Sequence, residues 1–562
     1  MAETLKKRLE RLRGSLEQDR NMFLPQWREI AEYLLPTRAR FQLNENRGER
    51  RNQKIINPTG SLAWRTYRSG MMSGVTSPAR PWFRLGTEDA RLVEYAPVKD
   101  WLYAVERGMF SIFSRSNFYN SLSVVYGDIG GFGTAAILIE EDFDDGIWTY
   151  PFPVGSYMIG IDHKGKANTF FREFRLTARQ IVEKFNRSKD SGPATGVDWS
   201  LFSTRVKDNY LRNPEAWIEV CHAIQPNGEY LPKMFGSKRF QSVYYEKAGG
   251  GEDKILSDRG YDYFPVLAPR WEVTGGDAYG TDCPGMMSIG SLKALQVMAK
   301  RKAQAVEKKV NPPMVAPSSA ERGIITTLPG GISFMDERGD GKGFRSAYEV
   351  NLNLSDLRLD INEEENLIRR TFYEDLFLML ATSDRRQITA REIEERHEEK
   401  LLALGPVLER LNTDLLDPLI DIVFDIMMKQ GLIPPPPPEL EGMKLKIEYI
   451  SIMAMAQKAV GIGTVERFAG FAGNIIAGNP AVVDKVNFDQ IIDVYADQIG
   501  LPPGIVRSDE DVAQIRQGRA EAQAAAEEVA ALAEAAKAAK DMSQTKMSPG
   551  EQTALTGLLE QA

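Results

Sequence analysis

At about 100 to 200 residues per domain, a chain of 562 residues is too long for one compact core, so several units are expected. Its 43% hydrophobic and 26% charged residues are those of folded protein and exclude disorder as the main state. A net charge of −8 excludes a chain built throughout to grip nucleic acid, though not one that lets DNA pass, and two cysteines, Cys221 and Cys283, exclude a disulfide framework and read as small core residues.

Residues 1 to about 120 read as helical. Leu5, Leu9, Leu12 and Leu16 share one helical face without a continuous apolar run, which predicts an amphipathic helix and not a signal peptide. Further amphipathic segments lie near Phe23 to Leu35 and Gly60 to Gly74. No segment supplies the roughly 18 unbroken apolar residues of a membrane span.

Within a first unit of residues 1–285, the texture changes over 126–275. Short β-branched or aromatic runs at Ala135 to Glu140, Ile147 to Phe152, Tyr157 to Ile161 and Thr169 to Leu176 predict strands, with Asp162-His163-Lys164-Gly165 as a hairpin turn. Trp217 to Ala223, Ser242 to Glu246 and Val266 to Val273 add further strands. The fold class expected is mainly α with a β-rich insert (α+β).

Helix returns at Met286 to Val310, where Leu292, Leu295, Ala299, Ala303, Val306 and Val310 make a thin, alanine-rich stripe suited to close packing on another helix. A turn-rich excursion over 311–353 follows, and then a second helix over 354–380. The first helix is basic, with Lys300, Arg301 and Lys302 at its middle. The second begins acidic, with Asp356, Asp360 and Glu363, so the two are expected to pair by charge.

A short loop, 381–388, carries Asp384, Arg385, Arg386 and Gln387. Thr389, with Glu392 three positions on, is a capping box that opens a long helix over 389–432. Its apolar stripe, Ile393, His397, Leu401, Leu404, Leu408, Leu411 and Leu415, runs in phase through Gly405 and Pro406. Pro406 cannot donate to the carbonyl of Leu402 and its ring clashes there, at a cost of about 3 kcal/mol, so one kinked helix is expected in preference to a helix-turn-helix corner. IPPPPPEL, Ile433 to Leu440, reads as a stiff polyproline spacer. Short helices and an Ala/Glu-rich helix from about Asp509 to Lys540 complete a last segment, 433–562.

Catalytic signatures are missing. GGFGTAA, Gly130 to Ala136, lacks the lysine of a phosphate loop and reads as a turn entering a strand. His163, His222 and His397 are isolated, and Cys221-His222 is too close a spacing for a metal site. No nucleophile and base stand in a recognisable arrangement, so no enzyme, metal or cofactor is expected.

Several motifs together resemble one family, the head-to-tail connector or portal proteins of short-tailed, podovirus-type bacteriophages. They are SGMMSGVTSPARPWFRL (Ser69 to Leu85), PRWEVTGGDAYGTDCPGM (Pro269 to Met286), LKALQVMAKRKAQAVEKKVNPPMVAP (Leu292 to Pro317) and ITAREIEERHEEKLLALGPVLERL (Ile388 to Leu411). In this order they cover roughly residues 1 to 520. The Ala-rich tail lies beyond the resemblance.

The resemblance implies a ring, typically of twelve identical subunits, at one capsid vertex of the virion, assembled in the cytoplasm of the bacterial host. Through it double-stranded DNA is packaged by the terminase large subunit and later ejected through the tail. In those terms 1–285 belongs to the wing, 286–310 and 354–380 are stem helices and 311–353 is the clip. Residues 381–388 are the channel loop, 389–432 the kinked wing helix and 433–562 the crown. Implied partners are further copies of the chain, non-specific DNA, the terminase large subunit, major capsid and scaffolding proteins and a tail adaptor, with no membrane. Arg385 and Arg386, repeated around the ring, would place positive charge beside passing DNA. The alternative reading is a capsid-lattice or scaffolding protein without a channel.

Overall fold

The computed structural model describes residues 4–41, 52–89, 95–186, 197–228, 237–247, 254–310, 354–382, 404–440, 445–451, 488–498 and 509–544, the pairs 314–315 and 345–346, and a few scattered positions between. The chain divides into two units, Met1–Val460 and Gly461–Ala562.

The first unit opens with α1 (Leu5–Tyr33), one continuous helix with Pro25 inside it, followed by α2 (Thr59–Val75) and β1 (Phe83–Thr87). Next come α3 (Ala96–Arg115) and α4 (Phe118–Phe132). The strands β2 (Ala136–Asp142), β3 (Gly146–Phe152), β4 (Tyr157–Ile161) and β5 (Ala167–Thr177) follow in direct succession. Two short helices, α5 (Ala178–Phe185) and α6 (Thr204–Arg212), lead to β6 (Trp217–Pro226), β7 (Phe240–Glu246), β8 (Ile255–Tyr261) and β9 (Val266–Leu267).

Two antiparallel sheets result, in orders β3-β2-β9 and β4-β5-β6-β7-β8. The Asp162 turn forms as expected: Gly165 takes a left-handed φ of 75°, and Asp162 Oδ1 accepts from the amides of Lys164 and Lys166. Helix α1 covers one face of the five-stranded sheet, where Leu9 and Leu16 pack on Met158, Phe171, Ala223 and Val243. Arg13 fastens it through Glu173 on β5 and through Glu10 and Glu17 on its own helix. The other face is covered at one end by Ile181, Val182, Phe185 and Val206 of α5 and α6. The free edge of β3 is occupied by a side chain: Asn117 Nδ2 donates to the carbonyl of Thr149 at 2.8 Å, and the Thr149 amide donates to Asn117 Oδ1 at 2.9 Å.

The glycine run read as a turn entering a strand is that. Gly130 and Gly131 end α4, Gly133 caps it in the left-handed region at φ 75°, and β2 begins at Ala136. A Cβ on Gly130 would meet the Tyr67 ring of α2 at 2.1 Å, so α4 and α2 approach as closely as they do only because glycine stands there.

The second half of the unit contains α7 (Pro284–Met287), α8 (Ile289–Val310), the short strands β10 (Met314–Val315) and β11 (Arg345–Ser346), α9 (Leu354–Thr371) and α10 (Glu374–Thr382). Residues 404–411 are helical, a π turn follows at Asn412–Leu416, and α11 (Asp417–Lys429) continues from it. The proline run is not a free spacer. Ile433 and Leu440 are buried, and Trp101 Nε1 of α3 donates to the Pro434 carbonyl at 2.9 Å. Strand β12 (Leu445–Tyr449) returns to pair antiparallel with β1. The second unit contains α12 (Phe488–Gln498) and α13 (Asp509–Gln544), joined by the Arg516–Asp489 ion pair; the side chains described along α13 after Ile515 are exposed.

Candidate functional site

The two helices flanking the excursion, α8 and α9, pack together, and their bases are anchored to α1 and α2. Gln296 is the hinge of that anchorage, because its Oε1 accepts from the amides of Ile56 and Asn57 at 2.7 and 2.8 Å while its Nε2 donates to the Asn57 carbonyl at 2.9 Å. Asn57 Nδ2 then donates to Glu365 of α9 at 2.8 Å, and Lys293 pairs with Glu29 of α1. One buried amide thus ties both helices to the body of the unit.

Only the lower part of the predicted α8 stripe is covered. Leu292 and Leu295 are fully buried, whereas Val306 and Val310 are 42% and 79% exposed. Val297 on α8 and Leu359 and Leu367 on α9 are also exposed. Lys300 and Arg301 are exposed and Lys302 half-buried; Asp356, Asp360 and Glu363 are exposed. No ion pair among the described residues joins these two sets, while Arg369 of α9 pairs locally with Glu365 and with Glu374. Beyond α8, Met314 pairs with Ser346 and Val315 with Arg345. The excursion is therefore closed at its neck by two strands.

The expected continuous second helix is interrupted at Phe372–Tyr373. Tyr373 takes a φ of 55°, which a tyrosine adopts at a cost, and packs on Trp271. The loop carrying Asp384, Arg385, Arg386 and Gln387, and the helix start at Thr389, lie outside the described residues. Gly405 and Pro406 stand in helical backbone, and Leu404, Leu408, Leu411 and Leu415 are buried as the stripe predicts. The departure from α geometry that is described comes later: the Asp417 amide reaches back five residues to the Asn412 carbonyl. Pro418 follows directly. An added residue in that turn relieves the clash its ring would have with the carbonyl of Asp414.

The π turn also holds a buried ion pair. Asp414 faces Arg270, from the segment after β9, at 3.2 Å, with the side chains 11% and 5% exposed, and Arg270 also donates to the Gly165 carbonyl at 2.9 Å. Burial pushes the Asp414 carboxyl above the usual carboxylate range, more than Arg270 draws it down. The pair locks the long helix to the β-rich region.

The bacteriophage head to tail connecting protein family matches residues 5–506. The chain belongs to this family. The portal protein of Salmonella phage epsilon15 is 43% identical over 566 aligned residues, covering 100% of this chain and 99% of that protein. The probable portal protein of Bordetella phage BPP-1 is 42% identical, covering 97% and 96%. The connector's alignment with both relatives thus extends into the Ala-rich tail, which the sequence motifs alone did not reach.

Cys221 and Cys283 are buried, and burial pushes each thiol up to about 12. No group of three or more His, Cys, Asp or Glu among the described residues is placed to hold a metal ion, and no described helix is long and apolar enough to cross a membrane. Asp128, buried on α4, is held by Arg38 through two bonds of 2.7 and 2.6 Å. Sequence reasoning missed Gln296, Asn57, Arg270 and Asp414; Arg270 lies inside the second family motif but was not singled out.

Proposed function

We propose that this connector is the portal subunit of its phage. It forms a closed ring, of twelve copies by family habit, at one capsid vertex of the virion, and the ring is built in the host cytoplasm. DNA enters through it by the action of the terminase large subunit and leaves toward the tail. The observation that carries the reading is identity above 40% to two portal proteins over nearly their whole lengths. The uncovered upper part of α8 supports it, since an apolar stripe left exposed in one chain suits burial against a neighbouring copy. Lys300, Arg301 and Lys302 would then meet Asp356, Asp360 and Glu363 between subunits.

In this reading α8 and α9 are the stem, the excursion closed by β10 and β11 is the clip that docks terminase and then a tail adaptor, and the segment after α10 carries the channel loop. Arg385 and Arg386 touch phosphates without reading sequence. Major capsid and scaffolding proteins meet the outer surface. A lattice or scaffolding role has no observation in its favour. Electron microscopy of the purified full chain tests the proposal: closed rings with a central hole are expected, and monomers or closed shells under all assembly conditions would overturn it.

A further inference from the structure

Strands β5, β6 and β7 set Arg172, His222 and Tyr244 side by side in one cross-strand row. The Arg172 guanidinium lies 4.5 Å from the Phe174 ring centre, 5.0 Å from Phe152 and 5.7 Å from Tyr150. Lys184 of α5 adds a second cation, 5.1 Å over Tyr244. His222 is fully buried, stacked on Tyr244 at 3.8 Å, with Nε2 3.0 Å from Ser242 Oγ. Its Nδ1 and the Nε of Arg172 are buried without a hydrogen-bond partner.

Positive charge is in excess here. Neither Arg172 nor Lys184 has a carboxylate within ion-pair distance among the described residues, and Glu140, beside them on β2, accepts from the Tyr261 hydroxyl at 3.3 Å. Burial first, then the charge of Arg172, holds Lys184 below the ordinary lysine range against the opposing pull of Glu140, and burial with both cations holds His222 well below ordinary histidine. Tyr150 is 46% exposed, so the row opens to solvent at that side. What would satisfy it is a carboxylate carried next to an aromatic ring.

The same chain displays that pair. Glu140-Glu141-Asp142-Phe143-Asp144-Asp145 runs from the end of β2 into the tip of the β2–β3 hairpin, Asp142 to Asp145, and Phe143 is 92% exposed among five acids. The tip is rigid: Asp142 Oδ2 accepts from the Asp145 amide at 2.9 Å, and Gly146 closes the turn at φ 86°. Glu141 is engaged by Gln430 and Asp145 by Arg115, which leaves Phe143 and Asp144 presented. The tip is held away from its own row, because Gly146 and Tyr150 lie four strand residues apart, about 13 Å at roughly 3.3 Å per residue.

We propose that the Phe143–Asp144 tip of one copy docks against the Arg172–Lys184 row of the next, with the ring among Tyr150 and Phe174 and the carboxylate between Arg172 and Lys184. The contact joins two different patches, which is the kind that closes rings, and it rests on the ring reading above. The test is the full chain with F143C and K184C. Because both native cysteines are buried, oxidation should give a ladder of disulfide-linked oligomers on a non-reducing gel that neither single variant gives. D144K alone should raise the concentration for half-assembly about tenfold, and D144K with K184D should recover most of it. Rings seen by microscopy without a ladder, or with only an intrachain bond, would overturn the docking and leave the ring standing. Failure to form rings at all in the unmodified chain would overturn both.

Discussion

Replacing Arg270 by methionine removes the guanidinium that faces Asp414 inside the π turn. Both side chains are nearly buried, so the carboxylate loses its contact partner and keeps only the more distant charges of Arg410 and Lys166, a change that costs about 3–5 kcal/mol. A carboxyl escapes part of this by binding a proton. Asp414 already lies above its ordinary range, and without Arg270 it rises further. A carboxyl whose folded pKa exceeds its unfolded one favours folding below the unfolded pKa and loses that advantage as pH climbs through the folded pKa. The variant should therefore be weakest at pH 8 and closest to the parent near pH 5. At about 1.4 kcal/mol per tenfold, local opening of residues 404–429 becomes about 10²- to 4 × 10³-fold more frequent at pH 8. Hydrogen exchange of peptides from that segment, followed by mass spectrometry, reads this directly. Arg270→Met with Asp414→Leu removes both charges and should regain most of the protection. Unchanged exchange in the single variant at pH 8, or a double variant as loose as the single, would refute the argument.

Val306→Asp with Leu359→Asp should abolish ring formation while leaving the thermal transition of the single chain almost unmoved, since exposed substitutions shift stability by about 0.5 kcal/mol or less; sedimentation and a melting curve read the two outcomes. Removing Ser318 to Gly343 leaves both strands of the neck in place, and the shortened chain is expected to assemble but to fail in terminase docking and tail attachment, measured by binding and by packaging in extracts. Arg385→Ala with Arg386→Ala should keep rings intact and lose packaged DNA more readily as the head fills, with added salt easing the defect by screening DNA self-repulsion; parental retention would return both arginines to a solvated turn.

The strands written as short apolar, β-branched or aromatic runs, such as Tyr157 to Ile161, were legible because both faces meet a core, Tyr157 and Ile159 on one side and Met158 on the other. β8 was not: ILSDRGY puts Asp258, Arg259 and Gly260 in a strand at a sheet edge, where no alternation is demanded. β1 escaped notice because its partner, β12, lies more than 350 residues away, and no local signal announces such a pairing. The break at Phe372–Tyr373 contains neither glycine nor proline and is imposed by packing, with Phe372 fully buried and Tyr373 against Trp271. Helices α8 and α9 and their charges could be read directly from the sequence. Their anchorage through Gln296 could not, since a buried amide looks like any surface glutamine until its partners are placed. The distortion at Pro418 was readable in principle but was overshadowed by Pro406.

The side chain of Asn117 along the outer edge of β3 has a consequence for a crowded assembly. A bare strand edge is a template on which the backbone of an identical molecule can polymerise, and copies held side by side face that hazard at very high local concentration. With Thr149 already bonded on both its amide and its carbonyl, the middle of this edge is closed to a neighbour's backbone. Adhesion between copies in this region then falls to side chains, whose contacts are reversible and specific, so subunits can be exchanged or corrected during assembly without fusing into fibres.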